Sequence, residues 1–70
     1  MADNELSDDG RIIADACAVR VTDLFKVFAE SVATGEPDRD AVVRFKRGLM
    51  SARHVRDLAL AAAKEAAAAS

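Results

Sequence analysis

The chain has 70 residues, with twelve acidic side chains, ten lysines and arginines, one histidine, one cysteine and a net charge of −2. A chain this short buries only roughly 60% of the surface its unfolded form exposes, so a monomer is marginal without disulfides, a metal, self-association or very regular helix packing. A single cysteine, Cys17, excludes an internal disulfide, and Cys17 with His54 forms no zinc cluster at any familiar spacing, which leaves helix packing and self-association.

The N-terminal stretch MADNELSDDG is acidic and lacks an apolar core, unlike a signal or transit peptide. Ser7, Asp8 and Asp9 suit a helix cap, and Gly10 resists a place deep inside a helix. The expectation is a flexible acidic N-terminus over residues 1–7 and a first helix over 8–34. On that helix Ala14, Cys17, Val21, Leu24 and Phe28 recur every three or four residues, flanked by Ile13, Phe25 and Val32, and read as a core or oligomer seam. A second apolar line, Ile12, Ala16, Val19 and Val27, is turned well away from the first. On its core stripe Cys17 reads as a small hydrophobe, the usual role of a buried cysteine, in preference to a reactive thiol.

One break divides the chain. In Thr34-Gly35-Glu36-Pro37-Asp38 a helix-ending glycine precedes a proline suited to the start of the next helix. Residues 35–37 are therefore predicted to form a tight turn, which lays the two helices side by side and antiparallel. Asp38 and Asp40 fall in the first turn of the second helix, where the helix dipole favours carboxylates.

The second helix is predicted over 38–66, with a frayed tail over 67–70. Ala41, Phe45, Gly48, Ala52, Val55, Ala59, Ala62, Ala66 and Ala69 follow a heptad spacing of four and three. Most are small, so a partner helix could approach closely, and the large residues of helix one would fill that shallow face. Val42, Leu49, Arg56 and Leu60 border the line. There is no sustained period-two alternation and no Asn-Gly or Asp-Gly joining two apolar runs, so the fold class is all-α. Because both helices are apolar over a wider arc than one neighbour covers, the expectation is an antiparallel hairpin that dimerises into a four-helix bundle.

Charge is unevenly distributed. Residues 1–40 hold ten acids against four bases, a balance of −6, whereas residues 41–70 hold six bases against two acids, a balance of +4. Arg44, Lys46, Arg47, Arg53, His54 and Arg56, with Met50 among them, form a candidate partner or anion surface. At 100° per residue these positions spread around the helix instead of lining one stripe, and Asp57 stands at an ion-pair spacing from Arg53. The isoelectric point is about 5.2 and there is no tryptophan or tyrosine to stack on bases, so a nucleic-acid contact is the weaker reading. His54 reads as a surface residue, and Val43, Met50 and Leu58 as scattered apolar residues or a docking patch.

The carboxylate pairs at Asp8 and Asp9 and at Asp38 and Asp40 are explained by capping. No phosphate loop, nucleophile elbow or metal motif is present, so no catalytic, cofactor-binding or metal-ligating residue is expected. The longest apolar run, Leu58 to Ala63, is far short of the ~20 residues that span a bilayer, so a cytoplasmic protein without membrane contact is expected. The functional expectation is a non-enzymatic protein-protein interaction module, an adaptor, inhibitor or regulatory subunit, acting as a homodimer. The alternative is a dimeric nucleic-acid-binding regulator using the segment from Arg44 to Arg56. The alanine, arginine, aspartate and valine bias points to a GC-rich bacterial or phage genome.

Overall fold

In the computed structural model, residues 2–69 are described, and their side chains from residue 8 onward. The chain forms two helices, α1 (Ala2–Ala33) and α2 (Asp38–Ala69), of 32 residues each, and the described residues contain no strand. They pack against each other as a hairpin with extents of 51 × 15 × 10 Å, and a helix of this length spans about 48 Å at 1.5 Å per residue. The all-α hairpin is thus as expected.

The helix bounds extend beyond the expected ones. The backbone is helical from Ala2, ahead of the cap-forming residues near Asp8, and α2 continues to Ala69 instead of ending at about Ala66. No proline interrupts either extension, and alanine has the highest helix propensity of all residues. The flexibility expected of residues 1–7 falls on Met1 and on side chains outside the described residues, as does the end of the expected tail at Ser70.

Local backbone bonding explains the reversal. Gly35 has φ of +96°, the only positive φ among the described residues, and stands just past the end of α1. The Glu36 N–H donates to the Ser31 carbonyl at 3.0 Å, and the Gly35 N–H donates to the Val32 carbonyl at 3.2 Å. This pair of bonds is the Schellman motif, which satisfies carbonyls that the helix end would leave bare. The Pro37 carbonyl then accepts from the N–H groups of Asp40 (3.0 Å) and Ala41 (3.2 Å), opening α2. Asp38 and Asp40 lie in its first turn, as the dipole argument requires.

Between the helices, Ile13, Cys17, Val21, Leu24 and Phe28 of α1 are half-buried against α2. Opposite them only Ala41 and Ala52 are buried, and Phe45, Gly48, Leu49, Arg56, Ala59 and Ala63 are half-buried. Phe28 stacks on Phe45 with ring centroids 4.9 Å apart and an interplanar angle of 26°. The Cys17 thiol faces the Ala52 carbonyl, with Sγ 3.9 Å from the oxygen.

The contact line of α2 differs from the expected heptad. It follows positions 41, 45, 48, 52, 56, 59 and 63, so that Ala41, Ala52 and Ala63 repeat at eleven residues, about 3.67 per turn. That is close to the 3.6 of an unstrained straight helix, whereas a heptad drifts and demands supercoiling. Val55 consequently leaves the hairpin contact and is 60% exposed, and Ala62, Ala66 and Ala69 are exposed too. On α1, Ile13 takes the place in the contact expected of Ala14, and Phe25 lies outside it at 55% exposure.

Candidate interaction surface

The hairpin buries little of its own apolar surface. Among the described residues no large side chain is fully buried, and the two buried residues are both alanines. Eleven large hydrophobic side chains are exposed among the described residues, from Ile12 on α1 to Leu60 on α2. A helix pair is one layer thick on each side, so each helix covers only a single stripe of the other.

The exposed residues divide by face. At 100° per residue, Phe25 and Val32 lie to one side of the Val21, Leu24, Phe28 contact line, and Ala16, Arg20, Asp23 and Val27 lie to the other. On the first side Phe25, Ala29 and Val32 join Val42 of α2 around a groove of 400 Å³ whose only charged lining residue is Asp38. We refer to this side as the Phe25 face. The opposite side holds two grooves. One of 260 Å³ is flanked by Arg20, Asp23 and Arg44, and one of 430 Å³ runs over Ile13, Ala16, Val55 and Ala59 between Arg20 and Arg56.

Arg44 has a role that sequence reasoning missed. Its Nη1 donates to Glu36 Oε2 at 2.8 Å, and its Nη2 donates to Ser31 Oγ at 3.1 Å and to Glu36 Oε1. Ser31 and Glu36 are the two residues joined by the long bond of the Schellman motif. A hydrophobic contact commonly links those positions; here a guanidinium from the facing helix bridges them instead. The Arg44 hydrogen bonds hold the Glu36 carboxyl below the usual carboxylate range, against a partial desolvation that acts the other way. Glu36 in turn raises Arg44 above its ordinary value. No signal of local spacing exposes this pair, because the partners stand eight residues apart across the turn.

The other members of the basic segment do not converge with Arg44. Arg56 is half-buried in the hairpin contact and donates from Nε and Nη2 to Asp57 Oδ1 at 3.2 and 3.1 Å, its aliphatic stem covering apolar surface. Lys46, Arg47, Arg53 and His54 are exposed; at 100° per residue Arg47 and His54 lie on the outer side of α2 with Met50, which is 69% exposed, whereas Lys46 and Arg53 lie on the flank of Val42 and Leu60. Val43, one turn before Arg47, is exposed on that same outer side. At the far end of the hairpin, Arg11 pairs with Asp8 at 3.0 Å, a contact between two well-solvated side chains and worth little.

Among the described residues, no group of three or more histidine, cysteine, aspartate or glutamate side chains could hold a metal ion, and no helix is long and apolar enough to cross a membrane. Comparison with protein-family models, with curated proteins and with solved structures finds no match for this chain.

Proposed function

We propose that the protein is a non-enzymatic protein-protein interaction module that acts as a homodimer, two hairpins forming a four-helix bundle. The observation that carries this reading is the area left bare. The hairpin exposes 5466 Å². A compact monomer of 7.4 kDa exposes about 4,200 Å² by the usual scaling of surface with mass. The excess of roughly 1,300 Å² exceeds the ~800 Å² that each partner of a standard complex buries. A second hairpin is the economical cover, since closed two-fold dimers are the commonest assemblies.

In such a dimer the outer side of α2 stays in solvent. Val43 and Met50, rimmed by Lys46, Arg47 and His54, then offer an apolar strip with a basic border to a further protein, as in an adaptor, inhibitor or small regulatory subunit. Sedimentation equilibrium tests the foundation of this reading. A mass of twice 7.4 kDa supports it, and a stable species at 7.4 kDa over the accessible concentration range ends it.

One observation favours a second reading, a dimeric nucleic-acid-binding regulator. Lys46, Arg47 and Arg53 are exposed and have no ion-pair partner among the described residues. Phosphate contacts weaken steeply as salt rises, whereas an apolar contact hardly responds. Absence of any gel shift with DNA and RNA at ~50 mM salt would remove this alternative.

A further inference from the structure

We infer that the outer side of α2 docks an acidic amphipathic helix of another protein, with Val43 and Met50 as the apolar midline and Lys46, Arg47, Arg53 and His54 as its two basic borders. This rests on the interaction-module reading and names the chemistry of the partner.

The sequence of α2 sets these residues in a heptad that the hairpin contact does not use. At 100° per residue Val43 and Met50 share one line, Lys46 and Arg53 fall to one side of it and Arg47 and His54 to the other, each pair seven residues apart. Val43 is 44% exposed, Met50 more so, and all the border residues are exposed. Seven residues is the repeat at which a second helix keeps meeting the same line, and the residues flanking such a line select the charge of the partner. Methionine suits the centre of this strip, because its flexible thioether adapts to whatever side chains are laid on it.

The charge of the partner follows from what the chain leaves unmatched. From Ala41 to Arg56 there is no acidic residue. Two cations of that segment are satisfied internally, Arg44 by Glu36 and Ser31, and Arg56 by Asp57. Lys46, Arg47 and Arg53 have no ion-pair partner among the described residues. Asp40 precedes the strip in the first turn of α2, and Asp57, next on the midline, ends it and is already bonded by Arg56. Carboxylates along both edges of an incoming helix would complement the borders. A nucleic-acid backbone would meet the cations but bring nothing apolar to Val43 and Met50. A second copy of the hairpin has wider apolar ground on the Phe25 face and on the side opposite it. Two apolar residues are also far short of the roughly 20 to 30 residues that each side of a stable complex contributes.

Fluorescence anisotropy of a labelled synthetic peptide tests this on the full chain. The probe has about 20 residues, enough to form a helix, with leucine on one face and glutamate on both flanks; its counterpart carries glutamine in place of glutamate. The glutamate peptide should bind at ~50 mM salt, and the glutamine counterpart about ten-fold more weakly. Met50→Ser should weaken the glutamate peptide about ten-fold, and Arg47→Glu combined with Arg53→Glu should abolish its binding, while the sedimentation mass stays that of the unaltered chain. No binding of the glutamate peptide, equal binding of the two peptides, or indifference to Met50→Ser would overturn the inference. So would a DNA duplex that binds more tightly than the peptide and ignores Met50→Ser. If Met50→Glu converts a dimer to a monomer, the second copy covers this strip, and the inference falls while the homodimer reading stands. If the unaltered chain is a monomer that binds the glutamate peptide through Met50, the homodimer reading falls and the inference stands.

Discussion

Leu24 closes over Gly48: a β-carbon on residue 48 would stand 2.5 Å from Leu24 Cδ2 and 3.2 Å from Cδ1. Glycine in a helix interior normally costs about 0.5–1 kcal/mol relative to alanine, so the leucine must account for its presence. Over-packing of a seated side chain costs typically 1–3 kcal/mol and outweighs that gain. Gly48→Ala should therefore destabilise the protein by about 1 kcal/mol in urea denaturation. In a Leu24→Ala background the same change should instead stabilise it by about 0.5–1 kcal/mol. An identical effect in both backgrounds would show that Leu24 is not the reason for the glycine.

Gly35 differs in kind, because a β-carbon there meets nothing within 4 Å and the whole constraint is the backbone angle of +96°. A left-handed conformation costs a residue with a β-carbon about 1–2 kcal/mol. Gly35→Ala should lose about that much stability, and Gly35→Asn less, since asparagine tolerates the conformation through local hydrogen bonding. Equal losses for the two variants would contradict this account of the turn.

The bridge from Arg44 to Glu36 has a defined pH signature. Glu36 is held below its usual range chiefly by the Arg44 hydrogen bonds, so its ionised form is favoured by folding. The resulting stability is present above the unfolded pKa, about 4.3, and is lost as the pH falls through the lower folded value. Arg44 stays protonated throughout. Thermal melts of the unaltered chain and of Arg44→Gln should differ at pH 7, and the difference should close as the pH falls below about 4. A difference that persists undiminished into strong acid would mean that Arg44 acts by packing alone.

The hairpin could be read from the chain because its punctuation is unambiguous: Gly35 supplies the left-handed cap and Pro37 cannot continue α1. The middle of the α1 contact is legible too, since Val21, Leu24 and Phe28 differ sharply from Asp23 and Lys26 around them, whereas Ala14 and Phe25 share their apolar character and lie outside it. The register of α2 beyond Ala52 is not legible. From Ala59 to Ala69 eight of eleven residues are alanine, so a heptad through Ala62 and an eleven-residue repeat through Ala63 fit the hydropathy equally well, and only helix geometry chooses between them. Arg56 compounds the difficulty, because its charge hides a stem that packs like a hydrophobe. In the sequence Arg44 reads as one of a diffuse basic segment for a related reason: its partner is set by the reversal of the chain and has no fixed spacing along it.

The 10 Å thickness of the hairpin makes amide hydrogen exchange unusually informative. In a body one helix thick, depth offers almost no shelter, and an N–H is slowed only by its own helical bond and by whatever lies over it. Residues that exchange slowly in the assembled state but quickly on dilution would therefore trace the footprint of the partner. For a hairpin whose buried residues, among those described, are two alanines, the pattern of protection records its associations.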